Sequence, residues 1–190
     1  MRNKFIRAPR GALIAFALIS SPIYTASAAQ VSSVNLSDAL DPGEFRWTPN
    51  AAREGAVEIV VSLPLQLAYV YRGGTLIGVS TVSSGAPGHE TPAGSFTILQ
   101  KNRDHRSNLY DDAPMPFMQR LTWDGVALHA GQIPGRPASH GCIRLPMAFA
   151  RHLFEVTKLG AAVHVIEDAA SPEEAIAYLS SPAVQVASTD

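Results

Sequence analysis

Hydrophobic and polar residues alternate in short runs from Val57 onward. In "VEIVVS", Val57, Ile59 and Val61 alternate with Glu58 and Ser62, the period of two that marks a strand. "LQLAYVYR" repeats it with Leu65, Leu67, Tyr69 and Tyr71, and Gly73-Gly74 supplies a tight hairpin turn. "TLIGVSTVSSG" reads as the return strand, and "GSFTILQ", "GVALHA" and "AAVHVIE" as three more. Strands this frequent, separated by turn residues, predict a mainly β domain, a sandwich or barrel with one or two short helices.

One helix interrupts the strands. Pro146 suits a first helical position, and Met147, Ala150, Leu153, Phe154 and Thr157 follow at helical spacing, with Gly160 as the expected C-cap. Ser171-Pro172-Glu173-Glu174 has the form of a capping box and predicts a short helix to about Leu179, within a C-terminal segment 168–190 that ends in a frayed tail. Residues 29–55 are polar and broken and read as a lead-in, with Trp47 packing onto the domain. The stretch from Lys101 to Met118 is polar and carries prolines. It reads as an exposed loop, either a lid or a long connection.

The first 28 residues differ in kind. Arg2, Lys4, Arg7 and Arg10 precede an apolar run from Gly11 to Ile19, and Ala26-Ser27-Ala28 is a small-residue cleavage site. This is the pattern of a secretory signal peptide, cut after Ala28 or Ala29. No later run is long enough to span a membrane. The whole chain of 190 residues has a net charge of −1. The four basic residues of segment 1–28 have no acidic counterpart there, so the remainder holds 11 basic against 16 acidic residues, a net −5. Nothing in that balance favours nucleic acid or anionic lipid as a partner.

Export changes the meaning of Cys142, the single cysteine. In an oxidising compartment thiols pair, and one thiol has no internal partner. It is a link to another chain, a small buried hydrophobe, or a reactive group. Its neighbours in "HAGQIPGRPASHGCIRLP" favour the last. A thiol becomes a thiolate near neutral pH only with help, and His129 and His140 are both near enough in sequence to give it. His140 shares a face with Cys142 in an extended segment, although Gly141 bends that segment. His129 ends a predicted strand, and a loop with two prolines and two glycines can fold the chain back to bring it beside the thiol. The local pattern does not choose between them. Arg144 can clamp a carboxylate or be an ordinary surface arginine, and Ser139 can brace the turn or be a plain loop serine. A metal site at His129, His140 and Cys142 matches none of the paired spacings that mark structural zinc.

"SHGCIRL", with an upstream histidine on "GVALH", resembles the signature of the YkuD-type L,D-transpeptidases. "LQLAYVYRGGTLIGVSTVSSG", "TPAGSFTI" and "MPFMQRLTWDGVALH" resemble further segments of that family, so the likeness runs in order from Val57 to Glu167. It implies a catalytic domain over residues 56–167 and a periplasmic enzyme acting on peptidoglycan stem peptides, without cofactor or metal. It also implies roles. Cys142 is the nucleophile and His129 the proton donor and acceptor. The Ala130 carbonyl orients His129, and the Gly141 and Cys142 amides form an oxyanion hole. His140, Arg144 and Ser139 line the substrate site. The acyl acceptor stays open among a second stem (3–3 crosslinking), water (carboxypeptidase) and a lysine of an outer-membrane protein. The interval between His129 and His140 is short for the family, and no added wall-binding module is read in the chain.

Thr91-Pro92-Ala93-Gly94 reads as a structural turn near the site. His89, His105, His152 and His164 read as surface or satisfied core histidines, Asp104, Asp111, Asp112 and Asp124 as solvated loop charges, and Trp123 as core or groove wall.

Overall fold

The computed structural model describes residues 40–108 and 111–168, together with 174, 177 and 178. The expected signal peptide at 1–28, the first part of the lead-in and most of the C-terminal segment lie outside the described residues. Glu174, Ala177 and Tyr178 are helical, in the interval where a short helix is expected.

The molecule is mainly β, with ten strands in two sheets and one α-helix among the described residues. Strands β1 (Phe45–Trp47), β2 (Val57–Ser62), β3 (Leu67–Arg72), β4 (Thr75–Thr81), β5 (Gly94–Thr97) and β10 (Ala162–Ile166) form the larger sheet, in the order β1-β4-β3-β2-β10-β5. Strands β6 (Gln100–Arg106), β7 (Pro114–Arg120), β8 (Ala127–Ala130) and β9 (Ile143–Leu145) form the smaller sheet in sequence order. Gly73 and Gly74, at φ 54° and 77°, make the β3–β4 turn, a backbone shape that a side chain disfavours.

The larger sheet is buried on both faces. Ile59, Val61, Ala68, Val70 and Ile77 pack toward the smaller sheet and the helix α1 (Met147–Val156), joining Leu128, Ile143, Leu145, Phe149 and Leu153. Val60, Tyr69, Tyr71, Leu76, Val79 and Ile166 form a second cluster on the opposite face, against which Tyr178 packs. Burial on both faces removes the need for polar alternation, which is why "VEIVV" and "LAYVY" are nearly continuous apolar runs.

Four sequence expectations need correction. The stretch from Lys101 to Met118 is a β-hairpin and not a loop: β6 pairs antiparallel with β7 from Gln100↔Arg120 to Arg106↔Pro114. The side chains of β6 are polar and mostly exposed, so no apolar alternation announces that strand. The lead-in contributes β1, which pairs with β4 at the sheet edge. There Trp47 does pack onto the domain, stacked on His152 and edge-on to Phe149, each at 5.5 Å. Pro146 is the N-cap of α1 and not its first residue, and Thr157, not Gly160, is the C-cap. The buried face of α1 is Phe149, Ala150 and Leu153, while Met147 is exposed. Trp123, expected in the core or groove wall, is 74% exposed.

Candidate active site

Strands β8 and β9 run parallel and adjacent, with Leu128↔Ile143, His129↔Arg144 and Ala130↔Leu145 in register. Parallel neighbours require a crossover, here residues 131–142. The crossover returns the chain so that Cys142 enters β9 one strand away from His129. This is the fold-back that the two glycines and two prolines permit.

A cleft of about 820 Å³ opens over this pair. His129, Ala130, Ser139, His140, Cys142 and Arg144 all line it. The opposite wall comes from the tip of the β6–β7 hairpin, with Ser107, Asp111, Met115 and Pro116. The segment read as a lid or connection is therefore a wall of the cleft. Asp111 and Asp112 turn the tip at φ 41° and 51°, and Asp112 pairs with Arg106 at 3.0 Å.

His129 is 8% exposed, and its Nδ1 lies 2.9 Å from the Ala130 carbonyl oxygen. A carbonyl only accepts, so Nδ1 carries the hydrogen and Nε2 holds the lone pair of the neutral ring. Burial pushes the imidazole below its usual value, against the opposing pull of the Ala130 bond, and the Arg144 guanidinium and the His105 ring, when protonated, add to the depression. Burial also raises the Cys142 thiol above its usual value, partly offset by a backbone hydrogen bond and by Arg144 and Arg120. Both shifts favour a neutral thiol beside a neutral imidazole over a preformed ion pair. The thiol donates to the Gly125 carbonyl at 3.4 Å. The thiol proton is thus directed at a backbone carbonyl and not at the lone pair on His129 Nε2.

The turn carrying the thiol is held from two sides. Ser139 Oγ accepts the Gly141 amide at 3.1 Å and donates to the Cys142 carbonyl. Ser139 braces the turn, and its buried hydroxyl is committed to it. The Gly141 amide, expected to face an oxyanion, is thus engaged by Ser139. Gly141 itself stands at φ 104°, where only glycine is comfortable.

From outside, residues 83–91 strap the turn down. Ser83 exchanges both backbone bonds with Arg144 at 3.0 Å, and the Ala138 and Ser139 amides donate to the Ser84 carbonyl. Thr91 Oγ1 accepts the Gly85 amide at 2.8 Å and donates to the Gly141 carbonyl at 2.9 Å. Thr91 plays the structural part near the site that "TPAG" predicts, whereas "SSG" did not single out Ser83 and Ser84, because a serine used by backbone looks like any loop serine.

The remaining sequence candidates separate clearly. His140 is exposed at the cleft, edge-on to the His89 ring at 4.7 Å. Arg144 lays its stem across Gly131, where an added Cβ would stand 3.0 Å from Cγ and Cδ. His164 is buried and bonded to Ser95 Oγ at 2.9 Å, a satisfied core histidine. His105, read as a surface or satisfied core histidine, and Asp124, read as a solvated loop charge, line a smaller cavity that also reaches Cys142. Among the described residues, no three His, Cys, Asp or Glu side chains are grouped to hold a metal ion.

Comparison with known proteins agrees with this architecture. The profile of the YkuD family, the L,D-transpeptidase catalytic domain, matches residues 56–165. Solved structures are similar over part of their length. An L,D-transpeptidase from Mycobacterium tuberculosis H37Rv is 26% identical, with a TM-score of 0.56 over 59% of this chain and 58% of that one. One from Stackebrandtia nassauensis is 26% identical, with a TM-score of 0.55 over 64% and 61%. L,D-transpeptidase 3 from Mycobacterium tuberculosis, solved with a faropenem-derived adduct, is 26% identical, with a TM-score of 0.56 over 59% and 60%. The chain therefore spans about three fifths of the solved structures it matches. No curated protein sequence matches. With the profile covering more than half of its residues, the chain belongs to the YkuD family of L,D-transpeptidase catalytic domains.

Proposed function

We propose that the protein is a periplasmic cysteine acyltransferase acting on peptidoglycan tetrapeptide stems. Cys142 attacks the amide carbonyl between the L-centre of the third residue and the terminal D-alanine. The thiol proton passes to His129 Nε2 as the S–C bond forms. The C–N bond then breaks, and the same proton leaves on the amine of D-alanine. A second stem's side-chain amine next attacks the thioester, gives its proton to His129 and thence to the departing sulfur, and a 3–3 crosslink results. The developing oxyanion draws on the Cys142 amide, joined by Gly141 once that amide exchanges Ser139 Oγ for the substrate oxygen. Each good donor contributes about 3–4 kcal/mol in comparable sites.

What supports this reading above all is the Nδ1–Ala130 bond. It fixes the tautomer, so that the free lone pair belongs to a buried ring on the strand beside the nucleophile. Neutral partners suit a base that acts only as substrate arrives. Family membership supplies the reaction class, and a signal peptide at 1–28 would deliver the enzyme to the periplasm.

Incubation of the chain lacking residues 1–28 with disaccharide-tetrapeptide, followed by mass analysis, tests the proposal. A crosslinked dimer with released D-alanine is expected, and a stem-thioester adduct on Cys142 that Cys142→Ala lacks. Tripeptide alone would make water the acceptor, and an adduct in Cys142→Ala would refute the nucleophile. One observation favours a competing reading, a wall-binding module with an inert thiol: burial disfavours Cys142 ionisation. A thiol that no carbapenem or alkylating agent reaches in the folded protein would establish that alternative.

A further inference from the structure

Cys142 stands where two cavities meet. The second is small, about 80 Å³, and lies under the β6–β7 hairpin on the side away from His129 and Arg144. His105, Arg120, Asp124, Met118 and Ala127 line it, and Cys142 and His140 border both spaces. The nucleophile is thus approached from a wide groove on one side and from a pocket with room for one small residue on the other.

Two basic side chains, Arg120 and His105, line the small pocket. Arg120 sits on β7 opposite Ala127 of β8. Its Nε donates to Gln100 Oε1 at 2.9 Å, which orients the plane of the guanidinium, whose two terminal amino groups carry further N–H donors. His105 lies close enough to be depressed by burial and by the charge of Arg120, so near neutral pH it offers one N–H and no second charge. The charge of Arg120 also favours the Cys142 thiolate, as does that of Arg144 from the wide groove, each partly offsetting the effect of burial. Asp124 is the pocket's carboxylate, but it is exposed at the rim, where water and salt screen it.

A tetrapeptide stem carries its terminal carboxylate one residue past the scissile carbonyl, about 3.8 Å along the chain. The group that reads this carboxylate must therefore lie in a small space contiguous with the sulfur. We infer that the small cavity is the leaving-group pocket, in which the Arg120 guanidinium, assisted by His105, binds the terminal carboxylate of the departing D-alanine. The inference rests on the proposed reaction and adds the basis of its selectivity for a free C-terminal residue. The wide groove, with Arg144, is left for the stem and the acceptor.

Two measurements test it separately from the reaction. The first is protection of Cys142 from iodoacetamide. N-acetyl-D-alanine should slow alkylation and N-acetyl-D-alaninamide should not, with protection lost in Arg120→Gln and partly kept in Arg120→Lys. The second is kcat/KM for tetrapeptide ending in a carboxylate against the same peptide ending in an amide. The wild-type ratio should be roughly tenfold to a hundredfold, the usual reach of a hydrogen bond to a charged group, and should collapse toward unity in Arg120→Gln. Equal protection by both probes overturns the inference, as does a ratio that survives in Arg120→Gln or collapses in Arg144→Gln instead. Protection without any D-alanine release would sustain the pocket while refuting the reaction.

Discussion

The hydroxyl of Ser139 donates to the carbonyl of Cys142 while its oxygen accepts the Gly141 amide at 3.1 Å. One side chain thus closes the turn that presents the nucleophile. Ser139→Ala leaves a buried amide and carbonyl without that partner, and such losses cost about 1–3 kcal/mol. A lower denaturation midpoint is expected, together with slower acylation of Cys142 by a carbapenem. Unchanged acylation would show that the turn keeps its shape without the hydroxyl.

Thr91 makes the equivalent bond from outside the turn. Thr91→Val conserves shape but removes one donor and one acceptor in a site 4% exposed. Destabilisation of about 1–3 kcal/mol is expected from equilibrium denaturation, and hydrogen exchange should quicken at Gly85. An isostere as stable as the wild type would mean that the strap holds by backbone pairing alone.

Lys101 reaches from β6 to the end of the helix. Its Nζ donates to the carbonyls of Phe154 and Thr157 at 2.6 and 2.7 Å and lies 4.3 Å from the centroid of the Phe154 ring. A cation at a helix C-terminus satisfies orphan carbonyls and opposes the dipole. Lys101→Met keeps the stem but deletes the charge, and should lower stability by about 1–3 kcal/mol. Thermal melting checks this, and a midpoint within error of wild type would rule the cap out.

Stability should peak between the ordinary ionisation ranges of imidazole and thiol. His129, with His164 and His105 in the same direction, is depressed below its usual 6.5. As pH falls below 6.5 the unfolded chain binds protons that the native rings refuse, so stability is lost on acidification. Cys142 is raised above its usual 9.0, so above that pH the unfolded thiol ionises first and stability is lost again. Denaturation at about pH 5, 7.5 and 10 measures both slopes. His129→Gln should flatten the acid slope and Cys142→Ala the alkaline one. The acid limb of kcat/KM should also have its midpoint below 6.5, because the base works only when neutral.

Much of this was readable beforehand because its signals are local. "VEIVVS", Gly73-Gly74 and "GVALHA" announce strands and a turn through periodicity and backbone preference, and "SHGC" after a strand-borne histidine announces the site. What stayed hidden lacks a local signature. The first strand of the β6–β7 hairpin is built of mostly exposed polar residues, so "QKNRDHR" carries no alternation even though the hairpin tip walls the cleft. Strand β1 depends on an edge supplied by β4. The pocket around His105 and Arg120 exists only once that hairpin folds back over Cys142. The tautomer of His129 follows from one carbonyl whose direction is set by the β8–β9 pairing.

The parallel register of β8 and β9 has an evolutionary corollary. His129 and the strand that follows Cys142 are tied together by ladder bonds, and Ser84, Thr91 and Ser139 hold the turn before it, so the path of the connection from Gly131 to Gly135 does not enter into the spacing of His129 and Cys142. Length can then be gained or lost there as a graft, resizing the groove mouth for a different acyl acceptor while the reacting pair stays where it is. Swapping in a longer connection there would test, on the proposed reaction, whether the groove mouth selects what receives the acyl group.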